Sequence, residues 1–259
     1  DLETLTERLH IAVIHGGDKA AADAVLYRTA NPRAWKSYEA VAQDIQGALR
    51  RLGFRHVALM AEDIDLPGRL RREGVHMAWL NTAGVQGHNP ASHAPAMLEM
   101  LGVPYVGHDP LVATMLDNKH WFKRELRAAG FATPPFITWN MAQGPFEPAS
   151  SARFKRAFPG YDGPFVVKPA VGRASLNVHV VDDAARLPSI IEEVFATSKT
   201  TVLVEEYMPG REYVVAASGS ITARGRRLFA GDGPFVFGAQ ERVLARAERI
   251  FTSMDVAPI

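Results

Sequence analysis

The stretch that decides the fold is Phe165-Val166-Val167-Lys168-Pro169-Ala170-Val171-Gly172-Arg173-Ala174-Ser175-Leu176-Asn177-Val178-His179-Val180-Val181. Two short apolar runs flank a Gly-containing loop, which is the pattern of a β-hairpin in an antiparallel sheet. Lys168 stands at the end of the first run, before Pro169, so a long cation projects from a rigid and largely buried platform. A buried ammonium takes an anion, and both a phosphate and a carboxylate in a structural ion pair satisfy that need. The loop from Val171 to Asn177 joins a small residue, a cation and a hydroxyl, a combination that closes over phosphate through backbone N–H groups or serves as a plain exposed turn.

Downstream, Val202-Leu203-Val204-Glu205-Glu206-Tyr207-Met208-Pro209-Gly210-Arg211-Glu212 runs from an apolar strand into carboxylates, a turn and a further acid. Such a linker suits a purine, with backbone groups on its edge, Met208 over its face and a carboxylate on ribose hydroxyls; a surface turn with solvated glutamates is the plainer alternative. Upstream, Lys119 and Lys123 lie four apart on a predicted helix, so they share a face, from which one could reach a phosphate; helical lysines are more often solvated. That helical region spans Leu111 to Gly130, with Met115, Phe122, Leu126 and Ala129 on one side, and ends before Thr133-Pro134-Pro135, a stiff connection to a new unit.

The N-terminal part alternates. His10–Ile14 reads as a buried strand entering the turn His15-Gly16-Gly17, and after the polar stretch around Asn31-Pro32 a helix is expected over Tyr38–Leu52, capped by Gly53. A strand at His56–Met60, a helix at Leu66–Glu73, a strand at Val75–Leu80, a helix at Ser92–Leu101 and a strand at Val103–Val106 follow, which predicts a parallel sheet covered on both faces. Further on, a helix is expected at Ala184–Phe195, strands at Thr201–Glu205 and Glu212–Ser218, and a helix at Gln240–Phe251; Met141–Ser151 is the most loop-like stretch.

Composition narrows the function classes. The 259 residues are 47% hydrophobic, and 29 basic against 28 acidic residues leave a formal net charge of +1, so no global field marks a nucleic-acid or membrane-surface binder. No cysteine is present, which removes disulfides, thiolate nucleophiles and Cys-ligated zinc. No apolar run approaches the roughly 20 residues of a membrane span, and Asp1-Leu2-Glu3-Thr4 lacks the order of a secretory signal, so a cytoplasmic protein is expected. His88, His93, His108 and His120 lack the spacing of a metal cluster. His15-Gly16-Gly17 lacks the G-x-G-x-x-G spacing of a dinucleotide-binding oxidoreductase.

Taken in order, Lys119 with Lys123, Val167-Lys168-Pro169-Ala170, the Gly172–Ser175 loop and Glu205-Glu206-Tyr207-Met208 with Gly210 and Glu212 resemble an ATP-grasp enzyme. Leu101-Gly102-Val103-Pro104-Tyr105-Val106-Gly107, Leu116-Asp117-Asn118-Lys119 and Gly130–Pro135 resemble the D-Ala-D-Ala ligase branch of that superfamily. The resemblance covers roughly residues 76 to 218, and the N-terminal strand loosely.

The resemblance implies an α/β and α+β protein: a Rossmann-like parallel-sheet domain over residues 1–108, a central ATP-grasp lid subdomain over 109–200, and over 201–259 the start of a C-terminal ATP-grasp subdomain that is incomplete in this chain. It implies that Lys119 and Lys168 hold ATP phosphates and that Ser175, with Gly172, lies beside the transferred phosphate. Glu205 would accept from the adenine amino group, Glu206 and Tyr207 fill the hinge, Met208 meets the ring and Glu212 takes the ribose. The implied reaction is ATP-dependent carboxylate–amine ligation through an acylphosphate, with ATP and Mg2+ as cofactors, catalysis resting on Lys168 and Ser175, and phosphoryl transfer driven by positioning and charge neutralisation.

The implied substrates are amino acids or short peptides, with no nucleic acid or membrane, and with a homodimer left open. The sequence departs from the family at Ala174 and Asn177, where a serine and a glycine are usual. It departs again at Gly84-Val85-Gln86-Gly87-His88-Asn89-Pro90, which replaces an acidic, glutamine-bearing stretch. The late Asp, Glu and Asn that bind magnesium in the family have no counterpart after Arg226, Asp255 included, and are expected beyond Ile259. A nucleotide-binding module without turnover is the alternative reading.

Overall fold

The structure, a computed structural model, describes residues 2–16, 38–85, 89–172, 175–224, 227–243 and 249. It divides into two compact units, one built on described residues up to Thr114 together with Tyr213–Gln240, the other on Met115–Glu212 and the described residues beyond 240.

The first unit opens with helix α1 (Leu2–Arg8) and strand β1 (His10–Gly16), then α2 (Tyr38–Arg51), β2 (His56–Glu62), α3 (Leu66–Arg72), β3 (Met77–Asn81), α4 (His93–Leu101), β4 (Tyr105–Val106) and the start of α5 (Pro110–Asp117). The four strands form one parallel sheet in the order β2-β1-β3-β4. In β1 the two-residue period of a strand sends Ile11 and Val13 to one face and Ala12 and Ile14 to the other. Ile11 and Val13 pack with Ala42 and Leu49 of α2, whereas Ala12 and Ile14 pack with Leu66 and Leu70 of α3 and Leu98 of α4. A strand apolar on both faces is therefore central, and its helices cover both sides. Gly84 is required where it stands: its φ is +80°, and a Cβ there would lie 2.1 Å from the Pro90 carbonyl oxygen. Gly17, the Asn31-Pro32 stretch and residues 86–88 lie outside the described residues.

The second unit continues with α6 (Lys119–Ala128), β5 (Phe136–Trp139), α7 (Ala152–Ala157), β6 (Phe165–Pro169), β7 (His179–Val181), α8 (Leu187–Ser198) and β8 (Val202–Glu206); β9 (Glu212–Val214) begins at its residue Glu212 and passes into the first unit. An antiparallel sheet in the order β5-β8-β6-β7 contains the expected hairpin, with Phe165 opposite Val181 and Val167 opposite His179. One face is the core: Ile137, Phe165, Val167, Val181, Val202 and Val204 pack with Phe154 of α7 and with Leu187, Ile191 and Val194 of α8. Phe146, inside the stretch read as a loop, is fully buried in this core.

Four sequence readings change. The helical region 111–130 is two helices, because Asn118 adopts an extended N-cap conformation and accepts from the His120 and Trp121 N–H groups, restarting the helix. The strand expected at Glu212–Ser218 is split into β9 and β10 (Ala217–Ser218), which precede β11 (Ile221–Arg224), β12 (Arg227–Ala230), β13 (Phe235–Val236) and β14 (Gln240–Arg242). Gln240–Arg242 is thus a strand paired with β9; its residues are good helix formers, so here the tertiary ladder overrides local propensity. The rest of the helix expected to Phe251, apart from 243 and 249, lies outside the described residues, as does Asp255. Finally, the buried residue of α6 is Lys123 rather than a member of the expected apolar stripe.

Candidate functional site

On the antiparallel sheet the face opposite the aromatic core carries the chemistry. In the register of β6 and β8, Val166 lies opposite Glu205 and Lys168 opposite Leu203, so Lys168 and Glu205 are diagonal neighbours on one face. Diagonal positions stand about 7–8 Å apart, within reach of two long side chains. The Lys168 ammonium donates to Glu205 Oε1. Phe136 of β5 sits directly opposite Glu205 on the other side.

Helix α6 closes over this face. Its start is fixed by the Lys119 N–H, which donates to the Ala170 carbonyl at 2.8 Å, and by a bridge between Asn118 and Val171. The i, i+4 spacing then turns Lys119, Lys123 and Arg127 to one side. Lys119 Nζ donates to the Gly172 carbonyl at 2.7 Å. Lys123 Nζ lies 2.8 Å from Glu205 Oε2, donates to Thr133 Oγ1 at 2.6 Å and stands 4.9 Å from the Phe136 ring centre. Arg127 covers the same ring at 4.3 Å.

Glu205 therefore has one oxygen on each of two lysines. Its side chain and that of Lys123 are 9% exposed, that of Lys168 20%. Two cations share one carboxylate, so the cluster carries a formal excess of one positive charge, and a buried excess cation is a standing invitation to an anion. Burial is the largest influence on Lys123 and lowers its pKa below the ordinary 10.5; Lys168 and Arg127 push the same way, and Glu205 opposes them. Burial also lowers His120, with Arg124 and Arg153 adding to the effect.

A stability prediction follows from the balance on Lys123. Lys123→Met leaves Glu205 paired with Lys168 and removes a charge whose burial outweighs its pairing, so stability at pH 7 in urea unfolding is expected within about 1 kcal/mol of wild type, or above it. The folded pKa of Lys123 lies below the unfolded 10.5, so between the two values the unfolded chain binds more protons. Wild-type stability thus rises with pH in that window relative to Lys123→Met, and the cost is fully present below the folded value.

The helix start offers a second. Asn118→Ala removes the acceptor for two N–H groups and is expected to cost about 1 kcal/mol in the same assay.

The remaining sequence candidates are placed as follows. Gly172 touches Lys119 through its carbonyl. Ser175 and Asn177 are both left-handed, at φ +56°, while Arg173 and Ala174 lie outside the described residues. Asparagine tolerates that conformation better than most residues, which accounts for Asn177 where related ligases hold glycine. The hinge peptides Glu206 and Tyr207 donate to the Pro135 and Pro164 carbonyls at 3.2 and 3.0 Å. The Tyr207 hydroxyl donates to the Arg249 carbonyl at 3.3 Å, and Met208 is 64% exposed. Glu212 is engaged elsewhere, by Arg242 at 2.6 Å on the surface. The structure thus brings together Lys119, Lys168, Gly172 and Glu205 and adds Thr133, which the sequence reading passed over because a hydroxyl beside Pro134 signals only a turn.

Residues 126–229 match the family model described as D-ala D-ala ligase C-terminus. A D-alanine–D-alanine ligase of Synechococcus sp. (strain JA-2-3B'a(2-13)) is 30% identical over 172 residues, 65% of this chain and 50% of that protein. The D-alanine–D-alanine ligase of Bacillus anthracis superposes with a TM-score of 0.59 over 92% of this chain and 72% of its own, at 19% identity. Its structure complexed with ATP gives 0.57 over 82% and 63%, at 21% identity. The chain spans about half or less of the length of the curated relatives it matches. Four ordered motifs, an antiparallel sheet that gathers their lysines and glutamate, and these matches converge: the chain is similar to D-Ala-D-Ala ligases of the ATP-grasp type, and residues 126–229 match the C-terminal part of that family.

Proposed function

We propose that this chain binds ATP and belongs to an ATP-dependent carboxylate–amine ligase. The observation that carries the reading is the buried cluster of two lysines on one glutamate, beside a Gly-containing loop that Lys119 also touches. Lys168 and Lys119 take the nucleotide phosphates, and Ser175 and Gly172 lie beside the phosphoryl group that moves. Glu205 retains lone pairs for the adenine amino group, since each carboxylate oxygen accepts more than one hydrogen bond. With the Glu206 and Tyr207 N–H groups committed within the sheet, Met208 is the hinge peptide assigned to the purine edge, and Glu212 the acid assigned to the ribose.

In the first step a substrate carboxylate oxygen attacks the γ-phosphorus and ADP departs with the electrons of the broken P–O bond. In the second, an amine attacks the acyl carbon, phosphate leaves and the nitrogen gives up a proton. Lys168 and Lys119 act by neutralising charge that gathers on the transferred oxygens. Among the described residues no group of three or more His, Asp or Glu could hold a metal. These residues do not form a magnesium cage, and no step here runs through that ion. Amino acids or short peptides are the proposed substrates, and a cytoplasmic homodimer the proposed setting. Among the described residues no helix is long and apolar enough to cross a membrane.

Thermal unfolding with ATP, ADP and NAD, each with and without magnesium, tests the reading. Ligand at a hundred times its Kd adds about 2.7 kcal/mol to stability, so ATP and ADP are expected to raise the midpoint. Lys168→Ala, which leaves Glu205 on Lys123, should abolish that rise. A response to NAD alone would overturn the proposal. An ATP shift without ADP formation from any amino-acid pool, measured on the full-length protein, would reduce it to a nucleotide-binding module.

A further inference from the structure

Lys123 is buried and charged, and the roles above make no use of it. It stands behind Glu205, held by Thr133 and the Phe136 ring, whereas Lys168 is the more exposed partner and lies on the strand that leads into the Gly172 loop. We infer that Lys123 is a positioning residue: it keeps Glu205 paired while Lys168 exchanges that carboxylate for a nucleotide phosphate. The inference rests on the ATP-binding reading.

The physical argument concerns what Lys168 leaves behind. In a one-to-one pair, moving Lys168 onto phosphate would strand a buried carboxylate, and that penalty would be subtracted from nucleotide affinity. With Lys123 fixed on Oε2 at 2.8 Å, Glu205 stays neutralised whichever partner Lys168 takes. The two ammonium groups also repel one another across the carboxylate, which loosens the hold of Glu205 on Lys168. Lys123 is thus a charge that folding disfavours and phosphate binding uses. That burial lowers its pKa despite the carboxylate is consistent with a residue kept for ligand exchange rather than for stability.

The test compares ATP with adenosine by calorimetric titration of the whole chain, in wild type, Lys123→Met and the double variant Lys123→Met with Glu205→Gln. Loss of Lys123 is expected to lower the ATP-to-adenosine affinity ratio by about tenfold or more, because Glu205 then clamps Lys168. Neutralising Glu205 in the same chain frees Lys168 and is expected to restore the ratio to within about threefold of wild type. Lys123→Gln, which keeps a hydrogen-bonding head without the charge, should reproduce the loss, and it serves where the methionine variant does not fold. A damaged fold would move both ligands together and leave the ratio unchanged. An unchanged ratio in the single variants overturns the inference. A loss that Glu205→Gln does not repair also overturns it, since Lys123 would then act on the phosphates directly. If wild type shows no ATP binding, the ATP reading itself fails and this inference with it; wild-type binding with an unchanged single-variant ratio sinks this inference alone.

Discussion

Glu205→Leu is expected to destabilise the chain by about 3–5 kcal/mol, read as a lower urea midpoint with an unchanged slope. The change removes the one carboxylate between Lys123 and Lys168 and leaves two ammonium groups facing each other, Lys123 with 9% of its side chain exposed. Thr133 can accept from Lys123 but carries no negative charge. Glutamine at the same place keeps an acceptor oxygen and should cost less. Combining Glu205→Leu with Lys123→Met and Lys168→Met should recover most of the loss, because replacing a buried ionic group by apolar residues of like volume is often neutral or stabilising. If Glu205→Leu alone were as stable as wild type, the cluster would be solvated, and the argument from a buried excess charge would fall with it.

The second large effect concerns the other face of the same sheet, on strand β6. Phe165→Ala is expected to cost about 3–5 kcal/mol in the same assay. The ring is fully buried and meets Phe154, Phe158 and Tyr161 at centroid separations of 5.6, 5.3 and 5.2 Å. Edge contacts among aromatic rings add to the area buried, so a hole here loses both contributions. Phe165 also pairs with Val181 on one side and Glu206 on the other, three residues from Lys168. Collapse of the cavity would shift the strand that carries the lysine, and ATP affinity should fall along with stability.

Much of the architecture was legible beforehand because it rests on local period. The apolar run His10–Ile14 had to be central once both of its faces were apolar, and the hairpin around Gly172 announced itself by two valine-rich runs with a loop between them. Phe136–Trp139 and Ala152–Ala157 were not legible. Each is too short for a period to develop, and both become a strand and a helix through what they pack against, Phe136–Trp139 by pairing with β8 and Ala152–Ala157 by burying Phe154.

By itself the sequence determined which residues could share a face, Lys119 with Lys123 by the helical repeat and Lys168 apart from Val167 by the strand repeat, and the order of motifs that resembles the ATP-grasp type. Only the tertiary structure decided that Lys123 is buried and that Glu205, which the family resemblance assigned to adenine, is held by two lysines from different elements. Burial of a charge depends on what lies above it in space, and the register of β6 against β8 and the docking of α6 through Asn118 and Ala170 join residues 37 to 82 positions apart in the chain. A linear pattern fixes the direction of each side chain, but the partner it meets is set by how separate elements pack.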